Sequence, residues 1–292
     1  MPQRKTRLAS LIFVISACSS HTRGPEVAPY PSLPEPAETT TNRISSAAGV
    51  WTFTASETSH TYQSTTNIIV HEISTIRSRA DTLKLNTRFT IKLNQLQNPA
   101  IISGHIDSVL LEQTTRQNPE VNNAASGMGF SGQITDTEVT LKLTATQSEC
   151  SSPLTSILGE IRPVITTHPK TLSLASVWTD SVSASSCSGA GIPTTLKIIR
   201  SYRVLGEATY STTQVVVLER TEASSFNGSG NEAQHQIEVT GTGTGTSRVY
   251  LDKTTGNTIA IESTQKIDTA IQSSGRLRHF VQDITQKIKL IP

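Results

Sequence analysis

The side chains that could perform acid–base or metal chemistry are scattered along the chain. Beyond the first fifty residues the histidines are His60, His71, His105, His168, His235 and His279. His105 and Asp107 lie on one face of a strand-like segment and could share a metal ion, but two ligands are too few for a site. No G-x-S-x-G sequence presents a nucleophilic serine, and the acidic residues form no close pair. The sequence therefore predicts no catalytic residue, no metal site and no cofactor, so we expect a protein that is not an enzyme.

Two glycine motifs could in principle bind phosphates. Residues 127–132 spell G-x-G-x-x-G, but a dinucleotide site needs a helix after the motif, and residues 133–146 continue with strand-like alternation. The Gly-Thr repeat of residues 241–246 lacks the Lys-Ser/Thr pair of a phosphate-binding loop. The first motif is better explained as a loop or bulge, and the second as a site of sheet curvature.

The N-terminus has the pattern of a secretory signal peptide, which we assign to residues 1–17. A basic start at residues 4–7 precedes a short apolar core at residues 8–15, and Ser16-Ala17 supplies the small residues before cleavage. The apolar run is too short to span a bilayer. The four residues Ile15-Ser16-Ala17-Cys18 closely resemble the lipobox of bacterial lipoproteins.

This resemblance implies a lipid anchor at Cys18. In bacterial lipoproteins the cysteine is diacylated on sulfur, becomes the first residue and is acylated again, with chains such as palmitate. Each buried methylene contributes about 0.8 kcal/mol, so several chains on one cysteine would anchor the protein stably. Ser19, which follows the cysteine, implies sorting to the outer membrane of a Gram-negative cell. The alternative is a soluble secreted protein that is cleaved near Ala17 and keeps Cys18 as a thiol.

With Cys18 assigned to the lipobox, Cys150 and Cys187 remain as a pair in an oxidising compartment. A disulfide between them would contribute about 4 kcal/mol in the chain-entropy model. Two free thiols or a redox couple are the alternatives, although the spacing is not Cys-x-x-Cys.

Composition divides the mature chain into a tether and a body. Residues 18–48 are rich in Pro, Ser and Thr and show no hydrophobic period, which predicts a disordered tether spanning roughly 3 Å per residue when extended. Residues 49–292 could form one large β domain or two similar halves, 49–148 and 170–292, joined by a helix at 152–166. Trp51 and Trp178 each open one of these halves and are better explained as core anchors than as pocket residues. A net charge of +2 without basic clusters gives no indication of nucleic-acid binding.

The body reads mainly as β-strands. Residues 236–265 predict one long hairpin, whose first strand alternates apolar or glycine positions with polar ones around a turn at residues 252–257. Gly241, Gly243 and Gly245 share one face of that strand and predict a bend or a close approach. Residues 277–290 fit either a strand or a helical stripe, and the β-rich context favours a strand. Leu154 to Ile165, capped by Ser151-Ser152-Pro153, is the one amphipathic helix that we predict.

The predicted fold is therefore mainly β, with one or two strongly curved antiparallel sheets, half-barrel-like, and one amphipathic helix packed against the concave face. In outline this is similar to the open half-barrels of lipid-binding bacterial lipoproteins, which implies a cup for acyl chains. The residues expected to line the cup or form its lid are Leu154, Ile157, Leu158, Ile161, Gly241, Gly243 and Gly245.

The favoured function is that of a membrane-anchored, non-catalytic lipoprotein that binds a lipid or another hydrophobic molecule in its concave sheet. The alternative is an envelope structural or protein-interaction module without a ligand pocket. A hydrolase with an unfamiliar site ranks third, since it would need titratable groups to converge in a cleft.

Overall fold

The computed structural model describes residues 44–45, 49–73, 79–113, 120–121, 127–144, 158–187, 192–232 and 235–291. The predicted signal peptide, Cys18, almost all of the tether, Cys150, Leu154 and Ile157 lie outside these residues. Within them the chain is mainly β, as predicted. The strands are β1 (Val50–Thr52), β2 (Glu57–Ile73), β3 (Arg79–Asn94), β4 (Ala100–Gln113), β5 (Glu120–Val121), β6 (Gly129–Ile134), β7 (Glu138–Leu143), β8 (Thr171–Ser173), β9 (Val177–Cys187), β10 (Pro193–Tyr210), β11 (Thr213–Glu232), β12 (His235–Asp252), β13 (Thr258–Ser273) and β14 (Arg276–Ile291).

Twelve strands form one sheet in the order β3-β2-β14-β13-β12-β11-β10-β9-β7-β6-β4-β5. Because β3 also pairs with β4, all of these strands except β5 form a closed ring of eleven, and the sheet is a barrel. The prediction of open, half-barrel-like sheets is therefore wrong. The ring closes through the short strands β6 and β7 and a parallel pairing of β7 with β9 over three residue pairs, from Glu138↔Ser181 to Thr140↔Ser183. Alternation along one strand cannot show which strands pair, so the closure of the barrel was not predictable from it.

The predicted hairpin is confirmed as β12 and β13, which pair from Ile237↔Ser273 to Leu251↔Thr258. Its turn is built as its residues suggested. Asp252 Oδ1 accepts hydrogen bonds from the backbone N–H groups of Thr254 and Thr255, and Gly256 adopts a positive φ of 73°. The ambiguous segment after Arg276 is a strand, β14, and it pairs with β2, so the last strand lies beside the first long one.

One end of the barrel is covered by the small sheet of β1 and β8, and we call it the capped end. Here Phe53 N–H donates to the Lys170 carbonyl, and Thr54 N–H donates to the Thr254 carbonyl. Trp51 is buried in the main core, and its indole N–H donates to Glu207. Trp178 packs against the same core and stacks on Tyr202 at a centroid distance of 4.9 Å. Both tryptophans are core anchors, as expected.

The helix differs from the prediction in the residue at which it ends and in its place. The described part is α1 (Leu158–Ile161), followed directly by a 3₁₀ turn at Arg162–Val164 that contains Pro163. Every residue from Glu160 to Ile165 is buried, so this part has no wet face and does not lie on the sheet as a lid. It lies inside the barrel, where Ile161, Val164 and Ile165 belong to the main core. No helix among the described residues is long and apolar enough to cross a membrane.

Candidate functional site

Residues 158–168, which we call the plug segment, fill the barrel interior next to the capped end. Several of its backbone carbonyls accept hydrogen bonds from side chains of the surrounding strands. Arg220 Nη1 donates to Pro163 O at 2.9 Å, and Thr258 Oγ1 donates to Val164 O at 2.8 Å. Arg200 Nη1 donates to Ile165 O at 3.0 Å, and Trp178 Nε1 donates to Thr167 O at 2.8 Å. A non-sheet backbone is tolerated inside the barrel because its polar groups are satisfied in this way.

A buried ion pair fixes one side of the plug segment. The Nε and Nη2 atoms of Arg200 donate to the two carboxylate oxygens of Asp180, both at 2.6 Å. Asp180 also accepts hydrogen bonds from Thr167 Oγ1 at 2.5 Å and from Tyr202 OH at 3.2 Å. Burial raises the pKa of Tyr202 to about 12, so its hydroxyl remains a donor at neutral pH. Asp180 and Arg200 are both buried, and this network explains how the charges are tolerated there.

Glu160 is held on the opposite side by neutral donors. Its Oε2 atom accepts from Ser64 Oγ at 2.9 Å, from Thr66 Oγ1 at 2.5 Å and from Gln286 Nε2 at 2.9 Å. Burial raises the pKa of the Glu160 carboxyl, although these hydrogen bonds act in the opposite direction. The plug segment is thereby attached to β2 and β14 as well as to β10 and β11.

Arg162 is a further buried charged residue of this region, but its guanidinium is not fully paired. The residue is 5% exposed, yet among the described residues neither its Nε nor its Nη2 atom has a hydrogen-bond acceptor. Burial lowers the pKa of the guanidinium to about 10, so the group stays charged at neutral pH. Most buried polar groups in native proteins are paired, so an unpaired guanidinium edge is exceptional.

A small cavity lies at the capped end, beside the last residues of the plug segment. Its volume is about 40 Å³, room for a few water molecules, whereas ligand pockets usually measure about 300–1,000 Å³. The Thr58 and Thr166 hydroxyls that line it are buried and have no partner among the described residues. Burial lowers the pKa of His60 and of His168, which also line it. This cavity is too small for an acyl chain.

The inward face of the sheet beyond the plug segment has a different character. Side chains two residues apart on a strand point to the same face, and the inward face is identified by the core residues Tyr62, Phe89, Ile261 and Ile288. By this alternation five apolar side chains also point inward, and all five are only half-buried. We call them the far face, and they are Ile68, Leu83, Leu85, Ile267 and Ile284. Leu83 is paired with Ile68, and Ile68 with Ile284, so the apolar row crosses three strands.

The three predicted glycines lie on the same inward face, in β12. An added Cβ would lie 2.2 Å from Phe226 Cζ at Gly241 and 2.6 Å from Ser224 Oγ at Gly243. At Gly245 it would lie 2.8 Å from Gln265 Cγ. Because the three glycines have no Cβ, side chains of the neighbouring strands β11 and β13 can pack directly against their backbone.

The other predicted site residues are placed only in part. Ile161 is fully buried in the core, and Leu158 begins α1, but its side chain lies outside the described part of the structure. Cys187 ends β9, opposite Pro193, and its side chain is likewise not described, so the disulfide stays a prediction.

The charged residues inside the barrel were not singled out from the sequence. A usable signal existed, because Arg200 and Arg220 interrupt alternating rows that are otherwise apolar or aromatic. In β10 that row is Ile198, Arg200, Tyr202 and Val204, and in β11 it is Val216, Leu218 and Arg220. A charge at such a position predicts a buried polar partner.

On the barrel surface, histidines pair with aspartates. His105 Nε2 lies 2.9 Å from Asp107 Oδ1, as their shared strand face suggested, and His279 contacts Asp268. Among the described residues, no group of three or more His, Cys, Asp or Glu side chains is arranged to hold a metal ion.

Comparisons with known proteins add little to this picture. No protein-family model matches the chain, and the search of curated proteins finds no match. Among solved structures, one is similar over 79% of this chain and 85% of its own, at 8% identity and a TM-score of 0.19. It is a crystal structure named as a putative outer membrane lipoprotein-sorting protein domain from Vibrio parahaemolyticus. A TM-score this low supports no statement about the fold or the function of the present chain.

Proposed function

We propose that this protein is a lipid-anchored, non-catalytic protein of the bacterial envelope that binds a hydrophobic ligand on the far face of its barrel. The observation that carries the proposal is the apolar row Leu83–Ile68–Ile284, which faces inward and yet stays half-buried. Covering such side chains with an apolar molecule contributes roughly 25 cal/mol per Å². Concave apolar surfaces of this kind are typical of ligand sites.

The membrane anchor rests on the sequence, because Cys18 lies outside the described residues. The point at which the chain joins the body is compatible with a tether before it. Ser45 contacts the body at the capped end, where its backbone exchanges hydrogen bonds of 2.8 and 3.0 Å with that of Glu207. The far face lies beyond the plug segment from that entry point. We expect Cys18→Ala to move the protein from the membrane fraction to the soluble fraction, and unchanged partitioning would refute the anchor.

The test of ligand binding uses the neutral fluorescent probe N-phenyl-1-naphthylamine and the purified full chain. Ile68 and Ile69 are neighbours of the same type on β2, but Ile68 faces inward whereas Ile69 faces outward and is 41% exposed. We expect Ile68→Lys to weaken probe binding at least tenfold and Ile69→Lys to leave it unchanged. Circular dichroism checks that both variants fold. If the Ile68→Lys variant does not fold, Leu83→Asn is used in its place. No binding to the wild type, or equal weakening by both lysines, would refute the proposal.

A second candidate is an envelope interaction module without a ligand pocket. It is favoured by the packing near the capped end, where the plug segment fills the interior and leaves a cavity of only about 40 Å³. This function predicts that in-cell cross-linking captures a protein partner while the purified chain binds no apolar probe.

A further inference from the structure

The inference concerns the head group of the proposed ligand and therefore rests on the proposed function. It starts from Arg162, a residue that is 5% exposed and whose guanidinium Nε and Nη2 atoms have no acceptor among the described residues. A buried charge without a partner is costly, so a charged group of opposite sign is the natural complement.

The two unpartnered atoms form one edge of the guanidinium, and this edge has a known use in the same barrel. In Arg200, Nε and Nη2 donate side-on to the two oxygens of Asp180, at 2.6 Å each. Planar carboxylates, and phosphates as well, match this fork of donors. The Arg162 edge therefore has the donor geometry for one such group.

The carboxylates of the plug region have other partners. Asp180 is bound to Arg200, and Glu160 Oε2 accepts three hydrogen bonds from Ser64, Thr66 and Gln286. Glu222 Oε2 lies 3.8 Å from Arg220 Nε. Burial lowers the pKa of Arg162, and no carboxylate of the described residues opposes this shift.

Arg162 also lies at the level of the barrel where the far face begins. Glu160 lies two residues before Arg162 and is hydrogen-bonded to Thr66, and Pro163 lies directly after it and is hydrogen-bonded to Arg220. Thr66 is followed on the inward side of β2 by Ile68, the centre of the far face. The Thr87 hydroxyl, paired across β2 and β3 with Ser64, is a second buried group without a partner among the described residues.

We propose that Arg162 receives the anionic head group, a carboxylate or a phosphate, of an amphiphile whose hydrocarbon part covers the far face. The ligand class is then a single-chain fatty acid or an alkyl phosphate, bound through the Nε/Nη2 edge.

The experiment compares three ligands of equal chain length on the purified full chain, namely palmitate, hexadecyl phosphate and 1-hexadecanol, by displacement of N-phenyl-1-naphthylamine. We expect the wild type to bind at least one of the two anions at least tenfold more tightly than the alcohol. Preference for palmitate would identify a fatty acid, and preference for hexadecyl phosphate would identify a phosphate head group.

Arg162→Met should abolish this preference while leaving the affinity for 1-hexadecanol within twofold of the wild type. The variant should fold, because methionine replaces a buried charge by a side chain of similar length. Arg162→Lys keeps the charge but not the fork, and should lose most of the preference. Arg203→Met is the matched control, since Arg203 is exposed and pairs with Glu219.

Three outcomes separate the alternatives. If the wild type binds the probe but does not distinguish anions from the alcohol, the inference fails and the proposed function stands. If the wild type does not bind the probe, both fail. If the wild type prefers the anions and Arg162→Met keeps that preference, another group binds the head group, and the inference is overturned.

Discussion

At the residue scale, the barrel interior contains charges that differ in how they are balanced. Asp180 is paired with Arg200 and accepts hydrogen bonds from two further donors. Removing its charge should therefore leave the buried Arg200 guanidinium without a carboxylate partner. We expect Asp180→Asn to lower the free energy of unfolding by about 3–5 kcal/mol, measured by urea denaturation. The Arg200 side chain is 2% exposed, so water cannot replace the lost carboxylate.

The surface pair of Arg203 and Glu219 provides the control for that substitution. Its Nη2–Oε2 distance is also 2.6 Å, but the side chains are 59% and 41% exposed. Solvent screens such pairs, and Glu219→Gln should change the free energy of unfolding by less than about 1 kcal/mol. Equal losses for the two variants would contradict the role that we assign to burial.

Glu160 should make stability depend on pH in a defined direction. Burial raises its pKa above the ordinary value of 4.5, so over the interval between these two values the folded protein binds more protons than the unfolded chain. The free energy of unfolding contributed by this group therefore decreases as the pH rises through that interval. Urea denaturation from pH 4 to pH 8 should show a smaller decrease for Glu160→Gln than for the wild type. Parallel curves would show that Glu160 does not titrate in this way.

At the scale of elements, alternation predicted most strands, because a sheet with one core face imposes period two on each strand. The hairpin of β12 and β13 and the strand β14 were predictable for this reason. The end of β10 is harder to predict, because a glycine such as Gly206 inside a strand pattern favours a break or a bulge. Gly206 lies at a bulge with a φ of 142°, and the chain turns only after Tyr210, where Ser211 has a φ of 55°.

The plug segment shows a second limit of sequence patterns. Its apolar residues have helical spacing, which predicted a helix lying on the sheet. Its position inside the barrel depends on Arg220, Arg200 and Thr258, whose side chains bond its carbonyls from 35 to 94 residues away in sequence. Such long-range pairings leave no mark in local periodicity, so the strands were predictable and the interior site was not.

The glycines of β12 lead to a prediction at this scale. A Cβ at Gly241 would lie 2.2 Å from Phe226 Cζ and 2.6 Å from the Asp268 carbonyl oxygen, which belongs to the backbone and cannot move aside easily. We expect Gly241→Ala to lower the free energy of unfolding by about 1–3 kcal/mol, as overpacking does. Phe226→Ala in the same chain should relieve only the contact with the ring. Thermal or urea denaturation measures both effects.

Gly159 in α1 is the control, because among the described residues no atom outside the helix backbone and the chain neighbours lies within 4 Å of a Cβ built there. Alanine favours helix over glycine by roughly 0.5–1 kcal/mol, so Gly159→Ala should be neutral or stabilising. Destabilisation of both variants to the same extent would mean that the close approach at Gly241 is not the cause.

At the scale of the molecule, the chain closes on itself in two ways. β2 pairs with β14 over thirteen residue pairs, from His279↔Ile73 to Ile291↔Thr61, which joins the beginning of the body to its end. The plug segment then links β2 and β14 through Glu160 to β10 and β11 through Arg200 and Arg220. A body made of two independent halves would lack these links, so we expect residues 49–292 to unfold as one unit.

The two tryptophans allow this cooperativity to be measured, because Trp51 lies in β1 and Trp178 in β9, one in each of the halves considered from the sequence. In Trp51→Phe only Trp178 reports, and in Trp178→Phe only Trp51 does. Within each variant, the urea midpoint from tryptophan fluorescence should coincide with the midpoint from far-UV circular dichroism, as two-state unfolding requires. The comparison is made inside each variant because each loses an indole hydrogen bond, to Glu207 or to the Thr167 carbonyl, and its stability shifts accordingly. If Trp178 fluorescence changed at a midpoint clearly different from that of the strands, the two halves would unfold separately, and the closed ring would not be the cooperative unit.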